Sequence, residues 1–127
     1  MQHEISAVAG RTSAALKSES VPVELLPARQ RFRDLVVERI LTLESLRIRV
    51  SNRQEPRAAL SAIVALSHKI AGVAGTLGYV SAGNLAASVE RAYRDQAELK
   101  LPLNDLWSLI EPRVLALMDE LEALLDE

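Results

Sequence analysis

Pro56-Arg57-Ala58-Ala59-Leu60-Ser61-Ala62-Ile63-Val64-Ala65-Leu66-Ser67-His68-Lys69-Ile70-Ala71-Gly72-Val73-Ala74-Gly75-Thr76 has the period of a helix. With Ile63 set at zero and about 100° added per residue, Ile63, Leu66, Ile70, Val73 and Leu77 fall within roughly 80° of one another. That arc is the predicted core face. Pro56 suits a first helical turn, and the polar run Ser51-Asn52-Arg53-Gln54-Glu55 ahead of it reads as a connection. Leu77-Gly78-Tyr79-Val80 reads as a turn, with Gly78 as its left-handed terminator.

The same three- and four-residue spacing extends to both sides. From about Pro27 to Val50, Phe32, Leu35, Val36, Ile40, Leu43, Leu46, Ile48 and Val50 alternate with Arg and Glu, which predicts a first long helix. Ser81 is the predicted N-cap of a third helix through about Ala97, carrying Leu85, Ala86, Val89, Ala92 and Tyr93 inward. Lys100-Leu101-Pro102-Leu103 breaks the chain again, and Asn104 is placed to cap a last helix. Its stripe is Leu106, Ile110, Val114, Leu117, Leu121 and Leu124, and Pro112 predicts a kink or restart within it. No run alternates with the period of a strand. Four helices on short connections predict an all-α chain, an antiparallel four-helix bundle over residues 21–127. Residues 1–20, with weakly spaced Ile5, Val8, Ala15 and Leu16, are expected to form a flexible tail or a loosely docked short extra helix.

Composition narrows the function. The 127 residues include 15 Lys+Arg, 17 Asp+Glu, two His and no Cys, with 49% hydrophobic and 3% aromatic residues. The length fits one domain, and the core must be built from aliphatic side chains. Without cysteine there is neither a disulfide nor a thiolate metal site. A formal charge of -2 gives no net pull toward nucleic acid or an anionic membrane. The N-terminus lacks a secretory pattern, and no window holds 18 or so uninterrupted apolar residues, so a cytoplasmic protein is expected.

The second helix departs from ordinary surface composition. His68 lies at about 140° from Ile63 and should point outward. Ser61, Val64, Ala65, Ala71, Gly72 and Gly75 lie within roughly 60° of it, and none has a long side chain. Each mid-helix glycine costs about 1 kcal/mol relative to alanine. Small residues permit close approach by another body. That body could be a neighbouring helix of this chain or a second protein. An imidazole is nucleophilic and protonatable near neutral pH, which makes His68 the candidate chemical group. Metal binding by His68 lacks a second His, or a carboxylate at positions 64, 65, 71 or 72, and His3 stands without partners. Arg29, Arg31, Arg33 and Arg39 read as a solvated face beside Glu38 and Glu44, and Glu90, Arg91, Arg94 and Asp95 as solvent-facing pairs.

Ser67-His68-Lys69-Ile70-Ala71-Gly72-Val73-Ala74-Gly75-Thr76-Leu77-Gly78-Tyr79 resembles the signature of histidine-containing phosphotransfer (HPt) domains. In that signature the phosphorylated His is followed by Gly four positions later and by another Gly ten positions later. Gly83-Asn84-Leu85-Ala86 through Val89-Glu90 also resembles the start of the family's next helix. The resemblance spans roughly residues 60 to 92 as motif and 30 to 125 as architecture. It implies a four-helix bundle whose surface His exchanges a phosphoryl group with the aspartate of a response-regulator receiver domain. His68 matches the phosphoryl acceptor, and Gly72 the small residue one turn on. Many members carry Lys three residues after the His, where this chain has Ala71. Lys69 lies about 100° away around the helix, and Arg57 three turns earlier on His68's face could touch only the partner. Val64 and Tyr79 are expected to give the partner apolar contact.

Taken as a member, the chain is expected to be a phosphocarrier and not a kinase. It needs no cofactor of its own, since magnesium would sit on the receiver domain. The expected partners are a receiver domain and a hybrid histidine kinase, not nucleic acid or membrane, and the expected state is a monomer. Nε2 of His68 is the expected nucleophile because it projects farthest from the backbone. The competing expectation is a non-phosphorylated helical adaptor or dimerisation module that binds protein through the small-residue face, with His68 incidental.

Overall fold

The computed structural model describes residues 21–126, so the expected tail at 1–20 lies outside the described residues. A short 3-10 turn, Val23–Leu25, leads into α1 (Leu26–Ser51). It is followed by α2 (Pro56–Thr76), α3 (Val80–Ala97) and α4 (Leu103–Leu124). Each helix packs on its chain neighbours, and α4 closes the ring on α1. Connections this short force successive helices to run antiparallel. Arg47 opposite Glu111 and Arg53 opposite Asn104 show the same sense for α1 against α4. The architecture is the four-helix bundle read from the sequence.

The ends of the helices are set by backbone more than by side-chain caps. Gly78, with φ 90°, takes the left-handed terminator position as expected. The Tyr79 N–H donates to the Ala74 carbonyl and the Gly78 N–H to the Gly75 carbonyl, the paired bonds of a Schellman motif. This turn hands the chain directly into α3, so Tyr79 occupies its N-cap position and Ser81, the expected cap, lies inside the first turn. Asn104 likewise lies within α4, behind Pro102, and accepts a hydrogen bond from Arg53 at 3.2 Å instead of capping. The helix passes through Pro112 without a restart. Between α1 and α2, Arg53 and Glu55 adopt left-handed backbone with φ 59° and 48°, which compresses the polar connection ahead of Pro56.

The core is the aliphatic interior predicted, with shifts at its margins. Leu106, Ile110, Val114, Leu117, Leu121 and Leu124 of α4 are all buried. On α1, Leu35 and Ile48 stay exposed, because Phe32, Val36, Leu43, Leu46 and Val50 take the inward positions. On α2 the buried arc extends roughly 60° either side of Ile63, from Leu66 to Leu60, and includes Ser67 and Ala74. Val73 lies just beyond that arc and is 47% exposed, not in the core. α2 is long and apolar enough to cross a membrane by length and composition. Its apolar character is accounted for by the core stripe together with the small residues opposite.

Two polar features mark this interior. Arg47 joins Glu44 at 2.8 Å and Glu111 at 2.9 Å, tying α1 to α4 across a half-buried seam. These contacts hold the Glu44 carboxyl below its ordinary range and raise the Arg47 guanidinium further. Ser67 is fully buried, and its hydroxyl has no hydrogen-bond partner among the described residues. An unsatisfied buried hydroxyl costs about 1–3 kcal/mol. Ser67→Ala should therefore raise the unfolding free energy by about 1 kcal/mol, read as a higher urea midpoint with unchanged slope. A lower midpoint would show that the hydroxyl is satisfied in solution.

Candidate functional site

The site is built on the packed pair α2 and α3, whose register is set by a close contact at Gly83. A Cβ added to Gly83 would lie 3.2 Å from the Gly75 backbone nitrogen, so only glycine fits here without displacing α2. Seven residues along α3 from Gly83 is Glu90. Seven residues back along α2 from Gly75 is His68. In an antiparallel pair these equal steps of two turns bring His68 and Glu90 face to face. The His68 Nδ1 lies 2.8 Å from Glu90 Oε2.

The His68 side chain is 71% exposed, while that of Glu90 is 27% exposed. The ring thus stands out from the bundle with one edge held. An ionised carboxylate has only acceptor sites, so Nδ1 carries the proton in the neutral ring. Nε2 then presents its lone pair outward. The sequence expectation named Nε2 for its reach; the hydrogen bond to Glu90 provides a second and stronger reason.

Around this ring the small-residue face is largely as expected. Ser61, Ala65, Gly72 and Gly75 are exposed, and Val64 and Ala71 are half-buried against the core. A Cβ at Gly72 or Gly75 would meet nothing within 4 Å. Close packing within the described residues therefore does not account for the absence of side chains there. It accounts for Gly83 instead. Lys69 and Arg57 are exposed, and neither is held in an ion pair or hydrogen bond among the described residues. Lys69 lies on the α1 side of the outer face, away from the edge where Glu90 holds the ring.

Three expectations are corrected. Tyr79 is not at the surface: it is 6% exposed, stacks on Phe32 with centroids 5.3 Å apart, and lies under the Arg29 guanidinium at 4.3 Å. The tight turn at Gly78 points it inward, where it clamps α1 to the α2–α3 connection, so it offers no contact to a partner. Arg29 is accordingly buried and not part of a solvated face. Glu90 is not an ordinary solvent-facing charge either, since its carboxylate holds His68. Sequence reasoning assigned it to neighbours on its own helix; the signal was the antiparallel register, together with its place in the Val89-Glu90 pair. Among the described residues no group of three His, Asp or Glu side chains could hold a metal ion.

Comparison with protein families matches this chain to the Hpt domain over residues 28–127. No curated protein and no solved structure matches it.

The hydrogen bond predicts a tautomer. In 15N spectra of the imidazole, neutral His68 should carry its proton on Nδ1, and Glu90→Ala should shift the population toward protonated Nε2. A wild-type ring protonated on Nε2 would contradict the arrangement.

Proposed function

The chain belongs to the Hpt domain family, whose members carry phosphoryl groups in phosphorelays and interact with receiver domains, and on that premise we propose that His68 is its phosphoryl-bearing residue. The observation that carries this reading is an imidazole 71% exposed, with Nδ1 tied to Glu90 and Nε2 without a partner among the described residues.

In the forward step Nε2 attacks the phosphorus of a receiver's aspartyl phosphate. The P–O bond breaks as the P–N bond forms, and the aspartate leaves as a carboxylate. The imidazole gains positive charge, which the Glu90 carboxylate faces across the Nδ1–H bond. In reverse, a receiver aspartate attacks the same phosphorus and His68 leaves as the neutral ring. Phosphoryl transfer depends chiefly on positioning and charge neutralisation. This chain provides a fixed nucleophile, and the magnesium ion and acidic pocket belong to the receiver. The chain is a carrier without kinase activity of its own, acting as a cytoplasmic monomer that serves a receiver domain and a hybrid histidine kinase.

The partner presses on the face formed by Ser61, Val64, Ala65, Ala71, Gly72 and Gly75, with Lys69 and Arg57 at its margin. Bare backbone lets the receiver's acidic pocket come within bonding distance of Nε2. The open space over Gly72 and Gly75 supports this use of the surface.

Incubation with a phosphorylated receiver or a phosphorylating kinase should give acid-labile, base-stable label on the wild type and none on His68→Gln. Absence of label on the wild type, with binding that survives His68→Gln, would replace the carrier by a helical adaptor. Gly72→Leu and Gly75→Glu should each slow transfer by about tenfold or more while helix content stays near wild type. Normal transfer by both variants would overturn the docking assignment.

A further inference from the structure

A phosphoryl group on Nε2 brings up to two negative charges beside the Glu90 carboxylate. Like charges at such range repel, so the phosphorylated state needs a compensating cation. The α2 helix supplies none at position 71, where Ala71 is half-buried on the α3 side of His68. The groups facing this edge are Glu90, Tyr93, Arg94 and Glu98 from α3, and His68 itself from α2. Lys69 leaves α2 on the opposite side.

Arg94 is exposed, and among the described residues no ion pair or hydrogen bond holds it. It lines one groove with Val64, Glu90, Tyr93, Ala97 and Glu98. It stands one turn along α3 from Glu90, a gap of about 6 Å between neighbouring positions on a helix face, which a guanidinium stem can span. The register that pairs His68 with Glu90 sets Arg94 beside Val64, one turn from His68 on α2. Arg91, by contrast, faces α4 in a cleft with Ser88, Asp95 and Arg113. Arg94 is thus the α3 cation on the His68 side.

We infer that Arg94 neutralises the phosphoryl group on His68, supplying from α3 the positive charge that Ala71 leaves missing on α2. This rests on His68 being the phosphorylated residue. A guanidinium donates two parallel hydrogen bonds to phosphate oxygens, a geometry suited to holding a tetrahedral anion at the end of a long stem. Glu90 and Arg94 then divide the work on one helix. Glu90 orients the ring, and Arg94 takes the charge of the incoming group.

The test needs no receiver. Phosphoramidate phosphorylates histidine directly: Nε2 attacks phosphorus, the P–N bond to the amino group breaks, and ammonia leaves. The full chain is labelled this way and followed by 31P resonance in the wild type, Arg94→Ala, Arg94→Lys, and Arg94→Ala combined with Ala71→Lys. Arg94→Ala should label about tenfold more slowly, and its bound phosphoryl group should titrate at higher pH than in the wild type. Arg94→Lys should retain much of the rate, and Ala71→Lys should restore it in the alanine background. Labelling of Arg94→Ala at the wild-type rate with an unchanged titration would overturn the role of Arg94 and leave the carrier reading standing. A slowing that Ala71→Lys does not restore would overturn it too, because structure and not charge would then be lost. A wild type that takes no label while a histidine peptide does would overturn both.

Discussion

The close approach of Gly83 to the Gly75 backbone is the constraint on which the site depends. It fixes how α2 and α3 slide against each other. From that contact, two helical turns in each direction deliver His68 and Glu90 to a 2.8 Å hydrogen bond. A slip by one residue would rotate the pair about 100° out of line on either helix. The chemistry of the ring follows from the same contact. Held through Nδ1, the imidazole stands in solvent with one known nitrogen available, on a helix whose other face is locked into the core by Ile63 and Ile70.

Four glycines between positions 72 and 83 serve three physical purposes. Gly78 provides a positive φ that ends α2 and turns the chain. Gly83 permits helix–helix contact. Gly72 and Gly75 meet neither need with a Cβ of their own, since one added at either would enter open space. Each lowers helix propensity by about 1 kcal/mol relative to alanine, a cost that makes sense at a surface kept low for a partner. The backbone of Gly75 also serves α3 from its other side, so one residue sets the register and belongs to the docking face.

Much of the fold was legible in the sequence because helical period, proline and glycine act locally. Gly78 and Pro56 marked helix boundaries that the structure keeps, and the α4 stripe from Leu106 to Leu124 is buried in full. The exposure of His68 was also legible, since its angle from Ile63 is a property of one helix. Errors arose where tertiary geometry decides. Ser81 and Asn104 had the chemistry of caps, but the Schellman turn and Pro102 placed the helix starts one or more residues earlier. Tyr79 was read as surface because its direction depends on the turn and on packing against Phe32. Glu90 was assigned to its own helix because its true partner lies 22 positions away, across a register that no single helix encodes.

The position of the phosphoryl group on the ring tests the central claim most directly. With the chain carrying 15N-labelled histidine and phosphorylated at His68, coupling between 31P and 15N identifies the bonded nitrogen. The account predicts one phosphorylated nitrogen, Nε2, with Nδ1 still protonated against Glu90. A phosphoryl group found on Nδ1 would contradict it, because that nitrogen is the one the bundle holds.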